Sequence, residues 1–158
     1  MSKLTELAKS YGSYHQSKAN QIMHMVGIPL VIASLLMISN WFVISFMHHG
    51  SVQLSWMLVA LMCIYYLQID TKAAVIMTVV YIALNFLMIL VAMPLTPRMQ
   101  IIIALALFII GWVLNFIGHG IEGKKPAFLD NLLQTLIAPV FITDEILKCF
   151  KINLFNID

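Results

Sequence analysis

Three long stretches without a charged side chain constrain this chain more than any other feature. No Asp, Glu, Lys or Arg occurs from Val26 to Ile69, from Ala73 to Pro97, or from Met99 to Ile121. Each stretch is at least as long as the roughly 20 apolar residues that a helix needs to cross the hydrocarbon core of a bilayer. With 61% hydrophobic and 10% charged residues, the chain is predicted to be an integral membrane protein.

The first stretch is long enough for two crossings, and the polar turn from Met47 to Gln53 divides it. We therefore predict an all-α membrane protein with four transmembrane helices, near residues 26–46, 52–69, 74–93 and 99–118. The polar segment before Val26 lacks the apolar region and cleavage site of a signal peptide, so we expect a retained, helical N-terminal segment. These elements are predicted to form a single membrane domain over residues 1–158.

The chain after the fourth predicted crossing is amphipathic. From Pro126 to Ala138, leucines and isoleucines form one stripe of a helix and polar side chains form another, and Pro139 interrupts the run. This pattern predicts an interfacial helix near residues 126–138, too short to cross the membrane. The adjacent acidic residues Asp144 and Glu145 are predicted to be solvated.

The basic residues predict which face of the membrane each loop occupies. If the N-terminus is cytoplasmic, all eight lysines are cytoplasmic and only Arg98 is not, which agrees with the rule that basic residues stay inside. Both termini are then cytoplasmic, in a bacterial inner membrane or an endoplasmic reticulum. Because the basic residues flank the membrane segments and do not cluster with aromatic ones, they do not indicate nucleic-acid binding.

The predicted topology divides the five histidines into two groups. The two histidines of the turn, His48 and His49, fall on the outer face and are predicted to be solvated. The other three are predicted to lie at the cytoplasmic end of the bundle together with two carboxylates: His15, His24, His119, Asp70 and Glu122. Groups at one end of a narrow helix bundle can converge on one site.

Three imidazoles at one place are a candidate metal centre. Neutral imidazole binds iron, zinc and copper, and three protein ligands leave positions open for oxygen or substrate. At about 100° per residue, His15 and His24 would lie roughly 180° apart on a straight helix, so the chain must bend between them if both bind one ion. Asn20 shares a helix face with His24. Asp70 or Glu122 could add an oxygen ligand or orient a histidine.

Two segments of the chain resemble the signatures of a known family. The segment "YHQSKANQIMHMVGIPL" is similar to the Tyr, His, Asn, His, Gly, Pro pattern of the small membrane 2-hydroxy fatty acid dioxygenases. The segment "FIGHGIEGKKPAFLDNLLQTLIAPVFITDEIL" resembles their second pattern, a Gly-His pair followed by Glu, Pro-Ala and a Leu-rich run. The resemblance covers both ends of the chain and the four-helix layout between them.

The resemblance implies an iron(II)-dependent enzyme that uses O2 to shorten a 2-hydroxy fatty acid by one carbon, as in fatty acid α-oxidation. It makes His15, His24 and His119 the iron ligands. The resemblance also makes Asn20, Asp70 and Glu122 candidates for catalysis, either beside the metal or as a further ligand. The bilayer would hold the alkyl tail of the substrate, and the sequence leaves open whether the chains form a homo-oligomer.

Two other classes of protein remain as alternatives. In a small transporter or channel subunit the histidines would relay protons, but the predicted helices carry no ionisable side chain at mid-membrane depth other than Cys63 and tyrosines. In a membrane scaffold the same histidines would hold a structural zinc, which requires four protein ligands and gives no turnover. Cys63 and Cys149 lie in different environments, so no disulfide framework is predicted.

Overall fold

The protein is described by a computed structural model that covers residues 3–46, 50–126, 129, 131 and 133–152. His48 and His49 lie outside the described residues. Within them the chain is mainly helical, with one antiparallel pair of strands. The elements are α1 Lys3–Gly12, α2 Lys18–Ser39, β1 Val43–Phe46, β2 Gly50–Gln53, α3 Leu54–Leu67, α4 Thr71–Ala92, α5 Pro97–Glu122 and α6 Gln134–Cys149.

Among the described residues, three helices are long and apolar enough to cross a membrane: α2, α4 and α5. Large apolar side chains such as Val79, Leu90 and Ile102 are exposed on α4 and α5, which suits contact with lipid. The fourth predicted crossing corresponds to α3, which has only 14 residues and a length of about 21 Å. It is short because strand β2 takes up the start of the apolar stretch and a turn at Gln68 ends it.

Helix α2 begins and ends earlier than the sequence predicts. It starts at Lys18 rather than near Val26, because its polar first turns are buried within the protein: Asn20 and His24 are almost inaccessible. It ends at Ser39, and the β-branched residues Val43 and Ile44, predicted to be helical, pair instead with β2 in a hairpin. Burial of Asn20 and His24 therefore accompanies the early start of α2, and strand pairing accompanies its early end.

The chain divides into two compact units, of which the first comprises Met1–Pro29 and Ile110–Asp158. In this unit α1 buries a stripe of Leu4, Ala8 and Tyr11 and packs on α6. The ring of Tyr11 meets that of Phe141, with 5.1 Å between centroids. These contacts hold the chain before α2 close to the C-terminal helix.

The C-terminal helix differs from the interfacial helix predicted near residues 126–138. Helix α6 begins at Gln134, and the predicted break at Pro139 is wrong because α6 continues through it to Cys149. Proline removes one backbone hydrogen bond in the first turns of α6. Pro139 is buried together with Ile137, Val140 and Phe141, so apolar packing outweighs the lost bond.

Helices α2 and α5 run antiparallel and approach closely at glycines. In the first unit, a methyl group added at Gly27 would overlap Asn115 Oδ1 and lie 2.8 Å from the Gly111 carbonyl oxygen. A methyl group added at Gly118 would overlap Asn20 Oδ1 and lie 3.2 Å from His24 Nδ1. Small residues at a helix crossing let the backbones approach in this way.

The second unit, Leu30–Ile109, contains the hairpin of strands and the α3–α4 helix pair. Ser34 Oγ of α2 donates to the Ala104 carbonyl oxygen of α5 at 2.8 Å, so the same two helices are antiparallel here as well. The side chain of Asp70 caps α4 by accepting a hydrogen bond from Ala73 N at 2.9 Å.

We expect the substitution Gly27→Ala to destabilise the protein by about 1–3 kcal/mol, because the added methyl group forces α2 away from α5. The matched control is Gly120→Ala, where a methyl group would meet no atom within 4 Å and should be neutral or slightly stabilising. Thermal unfolding in detergent measures both. Equal unfolding temperatures for the two variants would contradict the close approach at Gly27.

Candidate metal centre

Three buried histidines meet in the first unit. His15 lies in the turn between α1 and α2, His24 in α2, and His119 near the end of α5, and their exposed fractions are 2%, 4% and 6%. The ring centroids are 4.5 to 4.9 Å apart, and one nitrogen of each ring lies within 4.8 Å of the others. The three histidines lie together in the structure, as the sequence predicts.

The bend that the spacing of His15 and His24 requires is present. Helix α1 ends at Gly12 and α2 begins at Lys18, so His15 occupies a turn and not the helix that carries His24. The imidazole of His15 stacks on Tyr11 with 4.0 Å between centroids, which fixes the plane of the ring. The two histidines can therefore face each other despite their positions in the sequence.

Backbone carbonyl groups orient two of the three rings. His15 Nδ1 lies 2.9 Å from Tyr11 O, and His24 Nδ1 lies 3.0 Å from Asn20 O. Because a carbonyl oxygen only accepts, each Nδ1 carries the proton and each Nε2 keeps its lone pair, as in histidines that bind metals. His15 Nε2 and His119 Nδ1 are buried and have no hydrogen-bond partner among the described residues. This donor set fits a metal ion that prefers nitrogen ligands.

The electrostatics of His15 favour the neutral ring. The pKa of His15 is lowered to about 4, mainly because burial disfavours the charged ring; the bond to Tyr11 O and the charge of Glu122 oppose this shift, and His119 and Lys124 add to it. Its ring is therefore neutral at pH 7, and its free nitrogen can bind a metal without first losing a proton.

Glu122 holds the start of α2 against the end of α5. Its carboxylate accepts hydrogen bonds from Gln16 N at 2.8 Å, Ser17 N at 3.3 Å and Asn20 Nδ2 at 2.7 Å. The carboxylate thus holds the turn that leads into α2 and lies at the N-terminus of that helix, where a negative charge interacts favourably with the helix dipole. Glu122 is not a member of the histidine group, and its oxygens point to these donors.

Asn20 connects the carboxylate of Glu122 to the histidines. Its side-chain amide donates to Glu122 and also to Tyr14 O at 3.2 Å, while its backbone oxygen accepts from His24. Lys124 adds a second tie, donating to Ser13 O at 2.6 Å, with its ammonium 3.7 Å from Glu122. The structure therefore brings two of the three predicted polar residues, Asn20 and Glu122, to the histidines as groups that position them.

The third predicted polar residue, Asp70, lies in the second unit, where it caps α4. A part for it in the chemistry remains a prediction. Asp144, predicted to be solvated, is instead buried, with an exposed fraction of 1%. Its Oδ2 pairs with the ammonium group of Lys148 at 3.0 Å, one turn along α6.

A small cavity opens beside the histidines, also within the first unit. Its volume is about 60 Å³. Apolar side chains form one part of its wall, including Ile28, Trp112 and Phe116, and the histidines form another. Asn115 and Gln134 add polar groups that the sequence analysis did not single out as site residues, because a lone amide has no motif that indicates a site.

The fold and the site define a class: a small helical protein with apolar helices of membrane-spanning length and a buried group of three histidines. The chain belongs to the Mpo1-like family, since residues 1–150 match the family described as 2-hydroxy-palmitic acid dioxygenase Mpo1-like. It is similar to the 2-hydroxy-palmitic acid dioxygenase MPO1 of Saccharomyces cerevisiae, with 32% identity over 145 residues that cover 90% of this chain and 78% of the relative. No solved structure matches the chain.

We expect Glu122→Gln to lower the stability of the protein by about 1.5–3 kcal/mol, because an amide replaces one acceptor oxygen with a donor that faces N–H groups. Glu6→Gln, at an exposed position of α1, is the matched control and should change stability by less than about 0.5 kcal/mol. Thermal unfolding in detergent reports both. An unfolding temperature for Glu122→Gln equal to that of the control would show that the hydrogen bonds of Glu122 do not stabilise the protein.

Proposed function

We propose that this chain is an iron(II)-dependent dioxygenase that uses O2 to shorten 2-hydroxy fatty acids by one carbon. The observation that carries the proposal is the buried group of His15, His24 and His119, with ligand nitrogens within 4.8 Å of one another, in a chain of the Mpo1-like family. The name of its yeast relative supports the substrate class and the use of oxygen. Three nitrogen ligands with open positions suit ferrous iron in oxygenases.

The residues of the chain would provide binding and orientation. His15, His24 and His119 would hold the metal, with the first two oriented by Tyr11 O and Asn20 O. Ferrous iron bound there would supply the activation of O2 and the cleavage between C1 and C2 of the substrate. The apolar wall of the cavity would keep water from the reacting groups, and Glu122 would keep α2 and α5 in register.

The proposed reaction balances without a reductant. One 2-hydroxy acid and one O2 contain the atoms of the fatty acid one carbon shorter, carbon dioxide and water. The bond between C1 and C2 breaks, C2 is oxidised from an alcohol to a carboxylic acid, C1 leaves as carbon dioxide, and O2 takes up the four electrons. No second redox cofactor is needed for this stoichiometry.

Protein purified without oxygen should contain about one iron per chain and consume O2 only when a 2-hydroxy fatty acid is added. His119→Ala should lose both the iron and the oxygen consumption, since it removes a ligand. His48→Ala, which removes a histidine that the sequence predicts on the opposite face, is the control and should behave like the wild type. Elemental analysis and an oxygen electrode make the two measurements.

Each other outcome would support a different class of protein. Zinc in place of iron, without oxygen consumption, would support a structural scaffold. Metal-free protein that moves a solute across liposomes would support a transporter. Full turnover in His119→Ala would exclude the proposed iron site.

We also propose that the membrane is crossed four times, with both termini and the histidines on the cytoplasmic side. Helices α2 and α5 are antiparallel, and the start of α2 meets the end of α5 in the first unit. If both cross the membrane, the chain between them must cross an even number of times. Helix α4 is long enough to cross, so α3 must cross as well, with its flanking residues completing the distance or the bilayer thinning around it.

Single cysteines test this topology in vesicles, in a chain with both native cysteines replaced by serine. Lys72→Cys, at the exposed start of α4, should react with an impermeant maleimide from the cytoplasmic side only. Met93→Cys, at the end of α4 with 80% of its surface exposed, should react only from the opposite side. Labelling of both cysteines from one side would show that α4 does not cross and would contradict the four crossings.

A further inference from the structure

Gln134 lies in the wall of the cavity beside the histidines and has a buried side-chain oxygen without a hydrogen-bond partner among the described residues. Its exposed fraction is 5%, and it is part of the cavity wall together with His15, His24 and His119. Its amide nitrogen donates to Ser10 Oγ at 3.0 Å, whereas Oε1 is buried and has no hydrogen-bond partner among the described residues. Buried polar atoms usually have a partner, and a ligand or an ordered water supplies it where the protein does not.

The amide nitrogen of Gln134 faces α1, and its oxygen is the end of the amide that has no partner among the described residues. Ser10 belongs to α1 and Gln134 begins α6, and these helices pack on each other. With the nitrogen side of the amide tied to α1, Oε1 can serve only as an acceptor. It therefore matches a ligand with an O–H or N–H group and disfavours one that offers only a negatively charged oxygen.

We propose that Gln134 recognises the 2-hydroxyl group of the substrate, with Oε1 accepting a hydrogen bond from that hydroxyl. This inference rests on the proposed function. At neutral pH the carboxylate of a 2-hydroxy fatty acid has no proton to donate, so the hydroxyl is the one hydrogen-bond donor of its head. Gln134 is thus a residue that determines specificity, and it orients the head with the hydroxyl toward α6.

A structural role makes a different prediction. If Gln134 serves only to join α6 to α1, its loss should weaken the binding of every fatty acid equally, and Ser10→Ala should have the same effect. If it recognises the hydroxyl, its loss should remove only the preference for hydroxylated acids. Ser10→Ala should then keep that preference, because Oε1 is still present.

The test measures binding without turnover. Dissociation constants of 2-hydroxyhexadecanoic, 2-oxohexadecanoic and hexadecanoic acid are determined by calorimetry on the metal-loaded protein in detergent without oxygen. The 2-oxo acid retains two oxygens that can chelate a metal but has no hydroxyl proton. It therefore separates recognition by Gln134 from chelation.

We expect the wild type and Ser10→Ala to bind the 2-hydroxy acid roughly tenfold more tightly than the 2-oxo acid, the usual magnitude for one buried hydrogen bond. Gln134→Met has nearly the same length but no acceptor and should bind the two acids equally. Gln134→Asn, which withdraws the oxygen by one methylene, should also lose the preference and provides a second variant if the first does not fold. Unchanged binding of hexadecanoic acid shows that a variant is folded.

Two results would overturn the proposal, and they differ in what else they affect. If the wild type prefers the 2-hydroxy acid and both Gln134 variants keep that preference, the assignment of Gln134 is wrong while the proposed function stands. If the wild type binds none of the three acids, or binds them all equally, the proposed substrate class fails together with the inference.

Discussion

The carboxylate of Glu122 is the contact on which the candidate site depends. The histidines come from three separate parts of the chain, the turn before α2, the second turn of α2 and the end of α5. Glu122, one turn after His119, binds two backbone N–H groups next to His15 and the side chain of Asn20. A buried carboxylate with several donors is well stabilised only when all of them are in place, so one interaction fixes the relative positions of all three imidazoles.

Close helix packing makes this contact possible. With no side chain at Gly118, Asn20 and His24 of α2 can approach the backbone of α5. In an apolar solvent, packing and polar contacts must hold helices together because the hydrophobic effect does not separate protein from lipid. The glycines therefore act with Glu122. They allow α2 and α5 to approach closely, and the carboxylate determines the axial register of the two helices.

The histidine group could be predicted from the sequence because it depends on few facts. Charge-free stretches and the distribution of lysines were enough to place His15, His24 and His119 at one end of the protein. The contacts of Glu122 could not be predicted, because a carboxylate near a histidine in the sequence could bind a metal or accept backbone hydrogen bonds. Its bonds to Gln16 N and Ser17 N are visible only in the structure. The start of α2 and the course of α6 through Pro139 were missed for a related reason, since burial among distant residues overrides local patterns.

The size of the cavity limits what the site can hold. A cavity that encloses a drug-sized ligand usually measures about 300–1,000 Å³, whereas the one beside the histidines measures about 60 Å³. A cavity of this volume does not enclose a long alkyl chain. On the proposed function the alkyl chain must therefore stay outside, where apolar surface and lipid can receive it. Selectivity then depends on the head group, which is the part that a buried acceptor such as Gln134 Oε1 can distinguish, and chain length should matter less.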